Sequence, residues 1–488
     1  MARPLLILSN RQPLRHHHVP QGIQAMRPVS GLLSAVEPLI ESHGGTWIAQ
    51  SCGNADLEVV RLHGDPLGQV KVDSGAYWLR RIFLTQNEVE GHTDGFSNQA
   101  LWPLCHLAYQ KPLFLRHHWS LYQQVNTRFA SAVRADELAS NTQILIQDYH
   151  LALVPKKLRE RIAPEQNSSL QSRRAPIAFF WHIPWPPAEL VERCPWIREI
   201  LEGMLGADLI AFHTPEHCNH FMETCRRILG SQIDPLESAV HHEGRKVRVR
   251  SVPVAIAPRH FEPLPWQGKA QFWQDRFGIQ SPQILLAVDR IDPTKGVLER
   301  LEAYRLLLTG HPELRGKVTL VQVAPPCRGN IKTYQDLAIE VHQRFEALKR
   351  EFGTPHWPAA LLIQHALDWN QLAQLYQMAD LCIVSPLHDG MNLVSKEYVW
   401  CQHHEQGGLL LSRFAGASHE LRNGAWLVNP ADTESFARSI RQALQTPANE
   451  KRARMQLLRK QVLGRTAVDW GKELLQELSQ TSSPQAQG

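Results

Sequence analysis

Short apolar runs alternate with longer segments of helical periodicity along most of the chain. Apolar runs bounded by turn residues indicate buried strands, and apolar positions three and four residues apart indicate amphipathic helices. In the first half the predicted strands are Leu5–Leu8, Thr46–Ala49, Arg81–Leu84, Gln143–Ile146, Ile177–Trp181, Leu209–Phe212 and Val247–Val254. The predicted helices there are Leu32–Ile40, Leu121–Val133, Pro187–Leu205 and His217–Leu229. Strands separated by helices predict a mostly parallel sheet covered on both faces.

The same alternation resumes after a proline-containing connection near Pro258–Pro265. The predicted strands are Ile284–Val288, Lys317–Val323, Leu361–Gln364, Leu381–Val384 and Leu409–Ser412. The predicted helices are Val297–Leu308, Ile331–Lys349, Trp369–Met378, Lys396–Cys401 and Thr433–Gln445. The pattern predicts an α/β protein with two doubly wound domains and a ligand in the cleft between them.

The two alternating series set the expected domain boundaries. Residues 1–260 form the first domain and residues 261–445 the second, since 488 residues are too many for one ordinary core. Residues 446–478 read as an amphipathic helical segment, and the polar residues 479–488 as a disordered tail. His16–His18, flanked by prolines, reads as a loop rather than a metal site.

Composition narrows the class of protein. Hydrophobic residues make up 43% and charged residues 20%, which is typical of globular proteins. The net charge is +5, and no dense run of Lys and Arg indicates a nucleic-acid partner. No apolar stretch approaches the ~20 residues that a membrane helix needs. No signal peptide is evident, so we expect a cytoplasmic protein whose eight cysteines are reduced.

The stretch His388–Glu397 reads as a turn that leads from a buried strand into a helix. Backbone N–H groups at such a helix start attract anions and hydroxyl oxygens. Asp389 lies on the turn, where a carboxylate suits a sugar hydroxyl. Glu397 lies about one and a half helical turns beyond Asn392, where a carboxylate suits the diol of a ribose. The alternative is an ordinary capped helix of an α/β protein.

A second motif, Val288–Gly296, also ends a strand and opens a helix. Arg290 and Lys295 would both lie at the carboxyl edge of the sheet. Two fixed cations beside a helix start are what a diphosphate leaving group requires. The alternative is a solvated pair of surface charges.

Four further polar residues follow predicted strands, and strand ends are where ligands bind in open α/β sheets. They are Arg11, Asp148, His182 and Arg328. The imidazole of His182 suits a hydrogen bond donated to a sugar hydroxyl, although a buried, paired histidine is equally common. Asp148 is a candidate sugar ligand or a helix N-cap. The arginines are candidate phosphate ligands or solvated charges.

Taken together, these motifs resemble the trehalose-6-phosphate synthase family, the retaining glycosyltransferases of family 20. The matching segments are Ser9–Arg11, Gly95–Asn98, Leu101–Pro103, Gln147–Leu151, Trp181–Pro186, Asp289–Gly296, Asp389–Glu397 and Arg413–Ala417. They occur in the family's order between about Pro4 and Leu475. The resemblance implies a GT-B fold, in which two Rossmann-like domains face a central cleft and the C-terminal helix returns to the N-terminal domain.

The resemblance also implies roles for individual residues, carried over from the matching motif positions. The implied catalytic set is Arg290, Lys295, His182 and Asp389. The implied donor-binding set is Gly31, Gly390, Met391, Asn392, Leu393, Val394 and Glu397. The implied acceptor-binding set is Arg11, Trp102, Asp148 and Arg328. In this assignment the two cations clamp the donor diphosphate, Glu397 binds the ribose, and the acceptor is glucose 6-phosphate.

The implied reaction transfers glucose with retention from a nucleotide sugar, UDP-glucose or a related one. It needs no cofactor and no metal ion bound by protein carboxylates. The implied ligands are a nucleotide-sugar donor and a sugar-phosphate acceptor, with neither nucleic acid nor membrane as a partner. A homo-oligomer is compatible with the family, and a separate phosphatase would take the product in trehalose biosynthesis.

The chain departs from the family pattern mainly near the acceptor. Ser30 replaces the first glycine of a Gly-Gly-Leu loop, and Thr93 replaces a tyrosine that touches the acceptor phosphate. Ala255 and Ala257 replace a glycine and an acidic residue, and Pro293 replaces a tyrosine.

Two alternatives follow from these departures. A glucosylglycerol-phosphate synthase would use glycerol 3-phosphate and also lacks the double glycine, but the Ser9–Arg11 motif has the trehalose form. A non-catalytic regulatory homologue would bind sugar phosphate only, and the intact donor motifs disfavour it.

Overall fold

The computed structural model of the protein describes residues 4–28, 30–62, 69–71, 77–107, 110–139, 142–161, 174–258 and 268–482. Contacts within the chain divide it into two compact units. The first unit comprises Met1–Val254 and Ala467–Gly488, and the second comprises Ala255–Thr466. The domain boundary was expected after residue 260, and the structure divides the chain after Val254. Most of the expected linker, Pro258–Pro265, lies outside the described residues.

The first unit is built on a large sheet. Its strands are β1 (Leu5–Ser9), β2 (Arg15–Val19), β3 (Gly22–Met26), β4 (Gly45–Gln50), β5 (Gln69–Lys71), β6 (Trp78–Ile82), β7 (Gln143–Gln147), β8 (Ile177–Phe180), β9 (Leu209–Phe212), β10 (Gln232–Asp234), β11 (Ala239–His242) and β12 (Arg245–Ser251). Ten of them form one sheet in the order β10-β11-β12-β9-β8-β7-β1-β4-β6-β5, and β2 and β3 form a separate hairpin. The seven strands from β12 to β6 in that order are parallel.

Helices cover this sheet. They are α1 (Gly31–His43), α2 (Asp56–Leu62), α3 (Gln86–Glu88), α4 (Trp102–Cys105), α5 (Arg116–Ser131), α6 (Ala135–Ala139), α7 (Val154–Arg161), α8 (Ala188–Val191), α9 (Ile197–Met204) and α10 (Pro215–Leu229). A wide π-type helix, Val89–Leu101, joins α3 to α4. The core between the layers is apolar and aromatic, with Phe96, Tyr122 and Trp181 among its buried residues.

The second unit contains a six-stranded parallel sheet. Its strands are β13 (Gln283–Val288), β14 (Val318–Val323), β15 (Ala360–Ile363), β16 (Leu381–Val384), β17 (Gly408–Ser412) and β18 (Trp426–Val428). Its helices are α11 (Lys269–Phe277), α12 (Val297–Gly310), α13 (Lys332–Phe352), α14 (Trp369–Met378), α15 (Leu393–Cys401), α16 (Ser418–Leu421), α17 (Thr433–Gln445) and α18 (Ala448–Leu463). Tyr304 and Phe345, on α12 and α13, are buried in the core on one face of the sheet.

The last helix, α19 (Ala467–Ser479), belongs to the first unit, as the fold prediction required. Trp470 is fully buried and donates from Nε1 to the Val252 carbonyl at 3.1 Å. The segment 446–478, expected as one helical piece, is instead two helices that belong to different units, because α18 ends before Gly464. The tail expected to be disordered from residue 479 starts with the end of α19 and a short helical turn, Gln480–Ser482. Residues 483–488 lie outside the described residues.

Most predicted elements are present, and the errors have local causes. The single helix expected over Pro187–Leu205 is two helices, because Pro195 cannot donate a backbone hydrogen bond. His16–His18, expected as a loop, lie in strand β2. The strand expected at Arg81–Leu84 starts at Trp78, since its arginines read as polar but are buried. The last first-unit parallel strand runs over Arg245–Ser251 rather than Val247–Val254.

Candidate active site

The strand order of the second unit brings two predicted motifs to one point of its sheet. Numbered along the chain, its strands have the order 3-2-1-4-5-6 of dinucleotide-binding folds. The order reverses between β13 and β16, which pair at Leu285 and Leu381. Ligands bind outside the carboxyl ends of strands at such a reversal. The loops 289–296 and 385–392 both begin there, so the predicted cations and the predicted sugar-binding turn are neighbours.

Asp292 organises the first of these loops. Its Oδ1 accepts hydrogen bonds from the Thr294 backbone N–H at 3.1 Å and hydroxyl at 2.9 Å. Its Oδ2 lies 3.4 Å from Arg328 Nη1 and 3.9 Å from Arg290 Nη2. Burial raises the pKa of Asp292, but Arg328, Arg290 and Lys295 outweigh it and lower that pKa to about 2. The buried Asp292 carboxylate thus lies near Arg290, which is predicted to bind the diphosphate, and near Arg328, which is predicted to bind the acceptor.

Lys295 and Asp389 join the two loops directly. Lys295 Nζ donates to Asp389 Oδ2 at 2.5 Å, and Asn392 Nδ2 donates to the same oxygen at 3.2 Å. Burial lowers the pKa of Lys295, but Asp389, Asp289 and Asp292 outweigh it and raise that pKa. The amine is therefore a fixed cation at neutral pH, as a ligand for a diphosphate must be.

Arg300, a fully buried arginine on α12, was not among the residues predicted for the site. Its Nη2 donates to Asp289 Oδ2 at 2.7 Å and to the Lys295 carbonyl at 3.2 Å. Its Nη1 donates to Gln322 Oε1 at 2.5 Å, and its Nε donates to Ser385 Oγ at 3.0 Å. Arg300 thereby connects both loops with the neighbouring strand β14. An arginine in an amphipathic helix pattern reads as part of the solvated face, which is why it was missed.

The predicted sugar-binding turn is supported by the segment that follows β17. The Gly416 N–H donates to the Asp389 carbonyl at 2.9 Å, and the Ala417 N–H donates to the Met391 carbonyl at 3.0 Å. A Cβ added at Gly416 would lie 2.0 Å from the Gly390 carbonyl oxygen, so only glycine fits there. Backbone hydrogen bonds from Gly416 and Ala417 therefore hold the turn in place.

Asn392 ends the turn and caps helix α15. It has a φ of +109°, which is unusual for a residue other than glycine, and its Oδ1 accepts from the Ser395 N–H at 3.1 Å. Leu393 and Val394 are the first residues of α15 and are partly exposed. Their backbone N–H groups belong to the helix start, where an anion or hydroxyl oxygen is favoured.

Glu397 is buried on α15, and Tyr376 on α14 is its neighbour. Tyr376 donates its hydroxyl proton to Glu397 Oε2 at 3.1 Å. Burial raises the pKa of Glu397 to about 7, although the Tyr376 hydrogen bond lowers it. The carboxyl group thus changes its charge near neutral pH, and hydroxyl donors from a ribose would favour the ionised form.

The first unit repeats the same topological feature. Its parallel strands also have the order 3-2-1-4-5-6, extended by β12, and the order reverses between β1 and β7. Ser9 at the end of β1 pairs with Gln147 at the end of β7. Arg11 follows β1 directly and Asp148 follows β7, so the strand order brings two predicted acceptor ligands to one edge of the sheet.

Asp148 has a strained backbone, with φ +76° and ψ 161°, a region that residues other than glycine seldom occupy. Its Oδ1 accepts from the Tyr149 N–H at 3.0 Å and from the His182 N–H at 3.2 Å. The Trp102 ring, another predicted acceptor ligand, lies 6.0 Å from the Tyr149 ring between centroids. Such strain, held in place by surrounding contacts, is concentrated at functional sites.

His182 follows β8 and its imidazole is already engaged. Its Nε2 lies 2.7 Å from Gln147 Oε1, and its ring stacks on Phe180 with centroids 4.3 Å apart. Burial lowers the pKa of His182 to about 3, so the ring is neutral at neutral pH. In this structure Nε2 thus has a partner within the protein, Gln147 Oε1, and the donation from this ring to a sugar hydroxyl stays a prediction.

Two further predicted positions in the first unit lie on helices. Gly31 is the first residue of α1, and Ser30 is its N-cap without a side-chain capping bond. Thr93 lies in the π-type helix, with Oγ1 3.1 Å from His92 Nδ1 and 3.4 Å from Gln50 Oε1. Gly31 thus starts a helix, as a phosphate-binding position does.

The profile of Glycosyltransferase family 20 matches residues 4–480. The chain belongs to glycosyltransferase family 20. A family member from Mycobacterium avium, described as trehalose-6-phosphate synthase, is 35% identical over 487 residues, which are 98% of this chain and 95% of that protein. The family predicted from the motifs is therefore confirmed.

Solved structures of other proteins named as trehalose phosphate synthases have the same fold as this family 20 chain. The E. coli structure, described as bound with UDP-2-fluoro glucose, is 28% identical with a TM-score of 0.83, covering 98% of this chain and 99% of that one. The structure from Burkholderia xenovorans, UDP-forming and in complex with glucose-6-phosphate, is 28% identical with a TM-score of 0.83, covering 97% and 100%. The predicted GT-B fold is confirmed.

Two features are absent from the part of this glycosyltransferase that the structure describes. No group of three or more His, Cys, Asp or Glu side chains within the described ranges has a geometry that could hold a metal ion. In the same part of the chain, no helix combines the length and apolarity needed to cross a membrane.

Proposed function

We propose that this family 20 member is an α,α-trehalose-6-phosphate synthase. It transfers glucose with retention from UDP-glucose to glucose 6-phosphate. A relative that matches nearly the whole chain carries this name, and solved structures of other similar proteins are described as bound with UDP-2-fluoro glucose and as in complex with glucose-6-phosphate. The relatives' UDP ligands support uracil as the donor base, which the motifs alone left open.

The observation that carries the proposal is the position of Arg290 and Lys295 at the strand-order reversal of the second unit. Transfer of glucose leaves negative charge on the departing diphosphate. Cations that are fixed before the reaction stabilise this developing charge without reorganisation. Lys295 is held by Asp389, and Arg290 lies beside Asp292, so both cations have a fixed carboxylate neighbour.

The remaining donor contacts are assigned to the turn and helix that follow β16. Asp389 and the backbone of residues 390–392 hold the glucose, and Leu393, Val394 and Glu397 hold the nucleoside. Burial and the Tyr376 hydrogen bond fix Glu397 in place, which suits recognition of a diol. Gly31 is assigned to the diphosphate because it begins α1.

The acceptor contacts are assigned to Arg11, Trp102, Asp148 and Arg328. An arginine binds phosphate through two parallel N–H donors, and an aromatic ring covers the apolar face of a sugar. Arg328 is held by Asp292 and by the Tyr334 hydroxyl, which orients its guanidinium. Arg11 and Asp148 follow the two strands between which the first sheet reverses its order.

Retention without an enzymic nucleophile is the proposed course of the reaction. The bond from the anomeric carbon to the diphosphate breaks as the acceptor oxygen attacks on the same face. The acceptor hydroxyl proton passes to an oxygen of the departing phosphate, so atoms and charge balance. This course needs donors to the diphosphate rather than a pair of catalytic carboxylates, and the cations of the second unit supply them. A cytoplasmic location and a separate phosphatase for the product remain parts of the proposal.

A matrix of donors and acceptors tests the function. UDP-, GDP- and ADP-glucose are each combined with glucose 6-phosphate, glycerol 3-phosphate and free glucose, and nucleotide release is measured. We expect UDP-glucose with glucose 6-phosphate to react fastest, and NMR to show two α-linked anomeric carbons. A faster reaction with glycerol 3-phosphate would replace the proposal with a glucosylglycerol-phosphate synthase. Nucleotide binding without transfer to any acceptor would indicate a regulatory homologue.

A further inference from the structure

Two consecutive residues, Gln147 and Asp148, hold His182 at two separate points. Asp148 Oδ1 accepts from the His182 backbone N–H at 3.2 Å, and Gln147 Oε1 lies 2.7 Å from the ring nitrogen Nε2. The strand ends that carry them are adjacent, because β7 pairs with β8 through Gln147 and Phe180. Gln147 is almost fully buried. Both the main chain and the ring of His182 are therefore fixed by one short segment.

The contact with Gln147 sets the position of the imidazole proton. A separation of 2.7 Å is that of a good N–H···O hydrogen bond, and a carbonyl oxygen can only accept. With the amide oxygen of Gln147 facing the ring, as in this structure, the proton of the neutral imidazole lies on Nε2. A neutral imidazole carries a single N–H, so Nδ1 keeps a lone pair and can only accept a hydrogen bond.

We infer that Gln147 is a positioning residue that fixes His182 as the Nε2–H tautomer, so that Nδ1 accepts a hydrogen bond from a hydroxyl of the donor sugar. The inference rests on the proposed function, in which His182 contacts the transferred glucose. It reverses the direction of the hydrogen bond expected from the sequence. It also implies that the site requires a sugar substituent with a proton to donate.

The surroundings of the ring keep it neutral and in this orientation. Phe180 stacks against it, and the rings of His213 and Trp470 lie 5.3 Å and 6.3 Å from it between centroids. His213 and Asp148 are the titratable neighbours that these contacts show. The opposite orientation of the Gln147 amide would place the imidazole proton on Nδ1 and make that nitrogen a donor. The two orientations therefore predict opposite hydrogen-bond directions toward the sugar.

NMR of the ligand-free protein tests the tautomer directly. With ¹⁵N-labelled histidine, long-range ¹H–¹⁵N spectra distinguish the Nε2–H from the Nδ1–H form, and a His182→Asn variant assigns the signals. We expect the Nε2–H pattern for His182 in the wild type. An Nδ1–H pattern would overturn the inference. Because no substrate is present, this result is independent of whether the proposed transferase reaction is correct.

Two Gln147 variants test the consequence for catalysis. Gln147→Leu removes the acceptor, and we expect kcat/KM for UDP-glucose to fall about tenfold, as for the loss of one hydrogen bond, with the KM for the acceptor unchanged. Gln147→Glu keeps an acceptor at the same place but adds a negative charge. That charge raises the pKa of His182 and favours an imidazolium, which has no acceptor nitrogen.

The Gln147→Glu enzyme should therefore be active at high pH and lose activity as the pH falls through the raised pKa of His182. At saturating UDP-glucose, where the bound ribose already holds Glu397 ionised, the wild type should show no such acidic limb, because its imidazole ring remains neutral. A Gln147→Glu enzyme with the wild-type pH profile would overturn the inference. Since a glutamate replaces glutamine with little change in shape, this variant remains informative if Gln147→Leu fails to fold.

Discussion

Lys295 and Asp389 are 94 residues apart in the chain, yet the Lys295 Nζ lies 2.5 Å from the Asp389 Oδ2. The sequence assigned Lys295 to the diphosphate and Asp389 to the donor sugar. Their contact shows that the two assignments concern a single charged cluster. A diphosphate must compete with Asp389 for the ammonium group, and Asn392 holds the same carboxylate oxygen in place.

Arg290→Ala is expected to lower kcat by about 100-fold, since one fixed donor to a developing negative charge is removed. Turnover at saturating substrates measures the effect, and circular dichroism checks the fold. Arg344→Ala is the control, because Arg344 is an exposed arginine of the same unit, 3.7 Å from Glu340. We expect it to behave as wild type. Near-normal turnover in Arg290→Ala would remove Arg290 from the diphosphate site.

Binding of UDP at pH 6 is expected to release a proton, because Glu397 has a pKa raised to about 7 and a ribose diol favours its ionised form. Calorimetry in buffers of different ionisation enthalpy measures this release. The isosteric variant Glu397→Gln should show none and should bind UDP more weakly. Tyr376→Phe should raise the pKa of Glu397 further, since the hydroxyl that favours the carboxylate is lost. Equal proton release in wild type and Glu397→Gln would contradict the assignment.

The same shift predicts how stability depends on pH. Between pH 4.5 and about 7 the glutamate ionises in the unfolded chain but stays protonated in the folded one, so stability falls as pH rises. The shift corresponds to about 3 kcal/mol at most. Urea unfolding should show Glu397→Gln gaining stability relative to wild type across this window. If the difference in unfolding free energy between Glu397→Gln and wild type does not change with pH, burial does not raise the pKa of Glu397.

The fold was largely predictable because its main signals are local. Trp369–Met378 and Thr433–Gln445 were predicted with the bounds that the structure shows, since each helix follows an aspartate N-cap and carries a regular apolar face. The π-type helix Val89–Leu101 was not predicted. Its glycines and polar residues weaken any helical period, and its stability comes from buried contacts such as those of Phe96.

The positions of the candidate site residues in the fold were predictable where a residue lies at a strand end, and not where a residue acts through another residue. Arg290, Lys295 and Asp389 follow strands, which is a signal that a single sequence contains. Arg300 and Gln147 are recognised only by their partners, which include residues distant in the chain: Ser385 for Arg300 and His182 for Gln147. A single sequence shows how residues are spaced along the chain, but it does not show which side chains come into contact in the fold.

Gly296→Ala is expected to destabilise the second unit and to lower activity. Gly296 has a φ of +61°, and an added Cβ would lie 2.2 Å from the Ser385 carbonyl oxygen. The left-handed backbone alone costs an alanine about 1 kcal/mol, and the close approach adds to that cost. Urea unfolding and kcat measure the two effects. The control is Gly310→Ala at the other end of the same helix, where nothing lies within 4 Å and little change is expected.

Thr93 is the position at which the chain departs from the tyrosine of its family, and it decides between acceptors. We expect the wild type to prefer glucose 6-phosphate, with free glucose a poor acceptor, because Arg11 and Arg328 are assigned to the phosphate. Thr93→Tyr should lower the KM for glucose 6-phosphate by a factor of about 2 to 10, which is the effect of one added hydrogen bond. Initial rates with varied acceptor measure this KM.

The hydroxyl of Thr93 also contacts His92 and Gln50, so the substitution removes two contacts besides adding a phenol. Thr93→Val removes those contacts without adding a donor, and it therefore isolates their contribution. We expect Thr93→Val to leave the KM for glucose 6-phosphate within about twofold of wild type, since the partners at 3.1 Å and 3.4 Å are the protein's own. If instead Thr93→Tyr is inactive while the wild type uses glycerol 3-phosphate better than glucose 6-phosphate, Thr93 marks a smaller acceptor. The trehalose assignment would then fail while the donor assignment, tested through Arg290 and Glu397, would stand.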